Sequence, residues 1–171
     1  MEIAHLARRF VGSLWPLGPS ASTETWVLGV LSPGESTLWR RMSRADRRHA
    51  AGVARRVESA LGAGATRPVL AAALLHDVGK IEAGLGTWSR VVATVAGRAT
   101  KGAYVSRWAA GRGFTRRVGL YLRHAPLGAN LLSAASSDAL TIAWAGQHHL
   151  PTHDWTVPAE IAAALKAADD D

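Results

Sequence analysis

A chain of 171 residues, 48% apolar, has room for one hydrophobic core on the usual domain scale, and its longest apolar runs, such as Pro68 to Leu75, fall far short of the roughly 20 residues of a membrane-spanning helix. The absence of cysteine excludes disulfides and thiolate ligands, so any metal must sit on histidine and carboxylate. The net charge of +7 comes from 17 Arg and 3 Lys against 13 acids, and it is unevenly placed: between Glu82 and Asp138 there is no acidic residue, while Arg90, Arg98, Lys101, Arg107, Arg112, Arg116, Arg117 and Arg123 all fall there.

At the N-terminus, Arg8 and Arg9 precede Phe10 and Val11, but Gly12, Pro16, Gly18 and Pro19 interrupt the stretch before a secretory core can form. A cytoplasmic location is the expectation. Residues 1–34 read as a short helix followed by a Pro/Gly-rich excursion, an extension of the domain formed by residues 35–171. Ser32-Pro33-Gly34-Glu35 reads as the entry to a helix beginning near Ser36. Asp46 is the expected N-cap of a helix over 47–61, where His49, Val53, Val57 and Leu61 share one stripe. Pro68 opens the next helix, 68–78, and Gly79 ends it. The segment 87–112 mixes Val, Trp and Arg with repeated Gly and predicts one or two helices. Helices near 114–124, 127–135 and 138–148 follow. The last opens at Pro158, with Ile161, Leu165 and Asp169 at i, i+4 and i+8. Alanine and leucine dominate these segments and β-branched runs are short, so the fold class is all-α, a single compact helical bundle.

Several of these stripes carry a polar group on their apolar side. His49 shares its stripe with Val53 and Val57, His148 with Leu140 and Trp144, and Asp169 with Ile161 and Leu165. Burying an imidazole or carboxylate costs several kcal/mol unless it is paired or bound to metal, so inward groups on several helices point to a common meeting place. A divalent metal centre is an economical compensation. Imidazole and carboxylate together suit Fe, Mn, Zn, Co or Ni, and geometry decides among them.

His76-Asp77 is the sharpest local signal, because adjacent helical residues differ by about 100° in direction and can still reach one centre beside the helix. The run Leu74-Leu75-His76-Asp77-Val78-Gly79-Lys80 resembles the signature of the HD superfamily of metal-dependent phosphohydrolases, a His-Asp pair at a buried helix end followed by hydrophobic-Gly-Lys. The resemblance covers residues 35–171. His49 resembles the family's first-helix histidine, and His124, followed by Gly128 and paired aliphatics, its later one. His148-His149 resembles the double histidine of the binuclear branch, and Asp169 the closing carboxylate. The order resembles the di-metal HD phosphodiesterases, including those that cleave cyclic dinucleotides and dinucleoside polyphosphates. It departs from the HD-GYP branch, since Leu150-Pro151 follows His149 where Gly-Tyr-Pro would stand.

The resemblance implies two divalent transition-metal ions, Fe or Mn favoured, held by His49, His76, Asp77, His124, His148, His149 and Asp169. It implies a metal-activated water acting on a small phosphorylated substrate, a nucleotide or dinucleotide, with Asp77 orienting the water. Lys80 would neutralise developing charge, its bland alternative being a helix C-terminal cation, and Lys80 and Arg123 would bind substrate. A different class of reading is a nucleotide-binding regulatory module that keeps the metal pocket without turnover. The basic segment 88–123 suggests a further contact with a membrane surface or nucleic acid, against the bland reading of a solvated arginine-rich face. Four other residues have default structural readings: Glu35 as a first-turn acid, His153 and Asp154 as a solvated turn, and His5 as an exposed terminal residue. Trp88, Trp108, Trp144 and Trp155 are expected to pack in the core or at its rim.

Overall fold

The computed structural model describes residues 18–85, 93–94 and 104–170. His5, Trp88, Asp171 and most of the predicted 87–112 segment lie outside them. Within the described residues the fold is all-α, with no strand. The helices are α1 (Ala21–Val30), α2 (Pro33–Arg41), α3 (Arg44–Leu61), α4 (Arg67–Leu75), α5 (Val105–Ala109), α6 (Gly113–Leu122), α7 (His124–Ala134), α8 (Ala139–Gln147) and α9 (Ala159–Asp170). No helix of the described residues is long and apolar enough to cross a membrane.

The starts are set by local chemistry. Ser20, Ser32, Ser43 and Asp138 each accept a hydrogen bond from the first turn of the helix that follows. Ser32 and Glu35 form a reciprocal capping box, so α2 begins at Pro33, earlier than the expected Ser36, and the first-turn reading of Glu35 holds. Asp46 is not the cap of α3. Ser43 is, through Asp46 N–H at 3.1 Å, while the Asp46 carboxylate accepts from the Ser43 hydroxyl at 2.6 Å. The predicted Pro/Gly-rich excursion contains α1, whose Val27 enters the main core beside Leu31.

The centre of the molecule is α4, in which every residue from Val69 to Leu75 is buried. An element that is apolar all round belongs in the middle of its neighbours. Accordingly α1, α2, α3 and α8 all pack on it, α9 packs on α3, and α7 on α8. The fully buried Trp39, Leu74, Leu75, Leu132 and Leu165, with Trp144 only 2% exposed, form the main core. Trp155 packs edge-to-face on Trp144 with ring centroids 5.3 Å apart, and Trp108 borders a small second core of Ala83, Leu85, Ala93 and Val118.

The helix over 68–78 is shorter than expected: α4 stops at Leu75 and a 3-10 turn runs from Val78 to Glu82. Gly79 therefore does not act as a left-handed helix stop. Its role is close approach, since a Cβ there would lie 1.9 Å from the carbonyl oxygen of His124 and 2.6 Å from the amide nitrogen of Gly128. Two glycines facing each other let the turn and α7 touch backbone to backbone. Replacing Gly79 with alanine is expected to cost about 3 kcal/mol, at the upper end for overpacking, which chemical denaturation would measure. Ala at the open Gly29, where nothing lies within 4 Å of the added Cβ, provides the contrast.

Candidate metal centre

Three histidines stand just past the last turn of a helix, His124 being also the first residue of α7. His76 follows α4, His124 follows α6 and His148 follows α8. The last turn of a helix leaves carbonyls short of their i+4 amide partners. Each of these imidazoles turns its Nδ1 to such a carbonyl three residues back: His76 to Ala73 at 2.9 Å, His124 to Tyr121 at 2.8 Å and His148 to Ala145 at 3.0 Å. A carbonyl can only accept, so Nδ1 carries the proton, and in the neutral ring Nε2 presents its lone pair. All three lone pairs aim at one place. Nε2 of His76 and of His148 are buried there with no hydrogen-bond partner.

Asp77 occupies that place. Its backbone leaves the helix at φ −97° and ψ 6°, and its side chain is 5% exposed. Oδ1 lies 3.2 Å from His124 Nε2 and 3.8 Å from His148 Nε2. Oδ2 lies 3.4 Å from His76 Nε2 and pairs with Lys80 Nζ. Two ligand groups consequently share one carboxylate: Asp77 with His124, His148 and His149, and Asp77 with His49 and His76, all ligand atoms of each group within 4.8 Å of one another. His149 stands at the exposed mouth, its Nε2 3.0 Å from His124 Nε2. Asp169 closes the second group, with Oδ1 3.0 Å from His49 Nε2 and 3.5 Å from His76 Nε2. Its neighbour Asp170 is exposed and pairs with Lys166.

The electrostatics follow from this crowding. For Asp77, burial works against the charge, but Lys80 and His76 outweigh it and hold the carboxyl well below its usual range. Burial likewise opposes a charged His76, yet Asp77 and Asp169 raise it to about 10. Burial first, then the charges of His76 and His149, push His148 down to about 2. Burial opposes the Lys80 ammonium too, and Asp77 reverses the effect. Asp77 and Asp169 thus favour positive charge at the His76 Nε2.

The described structure therefore contains a buried His/Asp cluster able to hold metal ions. The fit rests on the orphaned Nε2 atoms and on a donor set of imidazole and carboxylate suited to divalent transition metals. Of the residues singled out in the sequence, His49, His76, Asp77, Lys80, His124, His148, His149 and Asp169 come together. Arg123 is exposed at the junction of α6 and α7. His153 and Asp154 form an exposed turn outside the cluster, 3.6 Å apart.

Two contributors escaped the sequence reading. Tyr121 lends its carbonyl to His124, and its ring lies 5.8 Å below Lys80 Nζ. Arg56 donates from Nε and from an Nη to the Ala168 carbonyl, at 2.9 and 2.7 Å, gripping the turn that carries Asp169. Arg56 lies seven residues after His49, two turns along the same face of α3, and that spacing was the available signal. No protein-family model, curated protein or solved structure matches the chain.

Truncating Arg56 to alanine is expected to weaken divalent-metal affinity about tenfold, the lower range for outer partners of ligands. Titration calorimetry with Mn²⁺ would read this, and an unchanged affinity would remove Arg56 from the site. Stability of the metal-free protein should also depend on pH in two directions. His148 has a folded pKa below its ordinary 6.5, so its contribution is present above pH 6.5 and is lost as pH falls toward 2. His76 has a folded pKa above 6.5, so its contribution is full below 6.5 and is lost as pH rises through about 10. Denaturation at a series of pH values should give a maximum between these arms.

Proposed function

We propose that this chain is a metal-dependent phosphohydrolase of the HD type, acting on a small phosphorylated compound of the nucleotide or dinucleotide class. The observation that carries the reading is Asp77, one buried carboxylate shared by two ligand groups, beside which the buried Nε2 atoms of His76 and His148 have no hydrogen-bond partner. His49, His76 and Asp169 would hold one divalent ion, His124, His148 and His149 another, with Asp77 common to both. When bound, such ions polarise phosphoryl oxygens and lower the pKa of a coordinated water toward neutrality.

The protein's own residues supply position and charge. The carbonyls of Ala73, Tyr121 and Ala145 fix the three rings before any ligand arrives, so little reorganisation remains to be done at the moment of reaction. Asp77, at the centre of the cluster, would orient the attacking water. Lys80 is held between Asp77 and the face of Tyr121, a cation within reach of a phosphoryl oxygen entering the cluster. His149 is exposed at the edge of the cluster, and Arg123, exposed and next to His124 in sequence, would bind the substrate. The ordered resemblance to the binuclear HD phosphodiesterases favours a phosphodiester bond as the target.

Elemental analysis after anaerobic purification should find about two transition-metal ions per chain, the stoichiometry of a two-metal site. The loaded protein should hydrolyse members of a panel of cyclic and linear dinucleotides. Removing the metal with a chelator should abolish turnover and Mn²⁺ should restore it, while Asp77→Asn should lower kcat by about 100-fold or more. Fully loaded protein that binds nucleotides tightly and cleaves none would assign a binding module instead. Protein that takes up no metal would end both readings.

A further inference from the structure

The surface from Tyr104 to Arg117 has a composition of its own. Tyr104 and Phe114 are 49% and 51% exposed, two of the three large apolar side chains so exposed among the described residues. Arg107, Arg112 and Arg116 are exposed around them, with no ion-pair partner among the described residues. No acidic residue lies between Glu82 and Asp138 in the sequence, so the segment itself brings no carboxylate to this surface.

This surface is built rather than loose. A Cβ at Gly119 would lie 2.2 Å from the amide nitrogen of Ala109, so α5 lies directly on the backbone of α6. Trp108 is packed against the second core and stacked on Tyr104, ring centroids 6.2 Å apart. Gly113 takes a positive φ of 56°, which turns the chain sharply and sets Phe114 at the first turn of α6. Between the two helices lies an open cleft of about 620 Å³ lined by Tyr104, Arg107, Trp108, Gly111, Arg112 and Thr115.

We propose that this face docks on a membrane surface rich in anionic phospholipid. Arg107 and Arg112 take headgroup phosphates at the cleft, and Tyr104 and Phe114 settle at the boundary between headgroups and acyl chains. The charge complementarity is one-sided, since the face offers arginines and no carboxylate to repel an anionic leaflet. Basic residues together with aromatics are the composition of protein faces that lie in the membrane interface. A single-stranded nucleic acid fits less well. It needs separated platforms for successive bases, whereas Tyr104 and Trp108 already stack on each other. The proposal does not rest on the phosphohydrolase reading, because none of these residues belongs to the His/Asp cluster.

Co-sedimentation of the full chain with vesicles, at low and high salt, tests it. Binding is expected to vesicles of mixed phosphatidylglycerol and phosphatidylcholine, and not to phosphatidylcholine alone. Arg107→Ser and Arg112→Ser should each weaken binding about fivefold, the share of one cation near an anionic surface. Phe114→Ser should remove the fraction that survives high salt, since apolar contact is not screened. All three variants should keep the helical circular dichroism and Mn²⁺ binding of the parent, which separates loss of docking from loss of fold. The proposal is overturned by failure to bind the anionic vesicles, or by Phe114→Ser matching the parent at high salt. Tighter binding to a single-stranded oligonucleotide than to vesicles, weakened by the same substitutions, would also overturn it.

Discussion

A carboxylate at the centre of a helical bundle is the constraint around which this molecule is arranged. Asp77 is 4% exposed and directly follows the most completely buried helix of the described chain. An isolated charge in such a place would cost several kcal/mol, more than most single interactions contribute to a domain of this size. The surroundings answer that cost from every side. Lys80 returns to it through a 3-10 turn, His76 adjoins it in sequence, and His124 and His148 reach it from the ends of two other helices. Removing any one partner leaves the others facing an under-compensated charge, so the residues around Asp77 act as a unit.

Helix ends are the device that makes the arrangement affordable. A mid-helix histidine would have to find a partner for Nδ1 among neighbouring side chains. A histidine just past the last turn finds an unpaired carbonyl waiting three residues back, and His76, His124 and His148 all use it. The same bond fixes the tautomer and aims Nε2 inward. His49 and Asp169 are exceptions, both within helices, and they meet each other across the α3 and α9 packing. There the backbone help comes from Arg56, which ties the end of α9 to α3.

What could be read from the sequence divides along the same line. The stripes that pointed His49, His148 and Asp169 toward the core were legible because helical periodicity is local. Asp169 could be preferred over Asp170 for that reason, and its neighbour is indeed on the exposed side. The error at Gly79 has a tertiary cause: a Gly after an apolar run reads as a helix stop, whereas its missing Cβ is needed for His124 and Gly128, some fifty residues away. The expected cap at Asp46 passed over Ser43 three residues earlier, and the structure uses both in one linked pair. Tyr121 acts through its own backbone carbonyl, a contact that no pattern of residue types announces, while for Arg56 the spacing from His49 was the one available signal.

The metal-free cluster also explains why its histidines differ so much in basicity although they lie within one small space. His76 sits between two carboxylates, and their charges overcome its burial. His148 is equally enclosed but faces other imidazoles as well as Asp77, so burial prevails and it stays neutral. The His76 imidazolium and the Lys80 ammonium both stand against the carboxylate of Asp77. A divalent cation entering such a site must displace the His76 proton and finds His148 already in the form that binds metal. The site is therefore suited to cations by its carboxylates and by the neutral ring of His148.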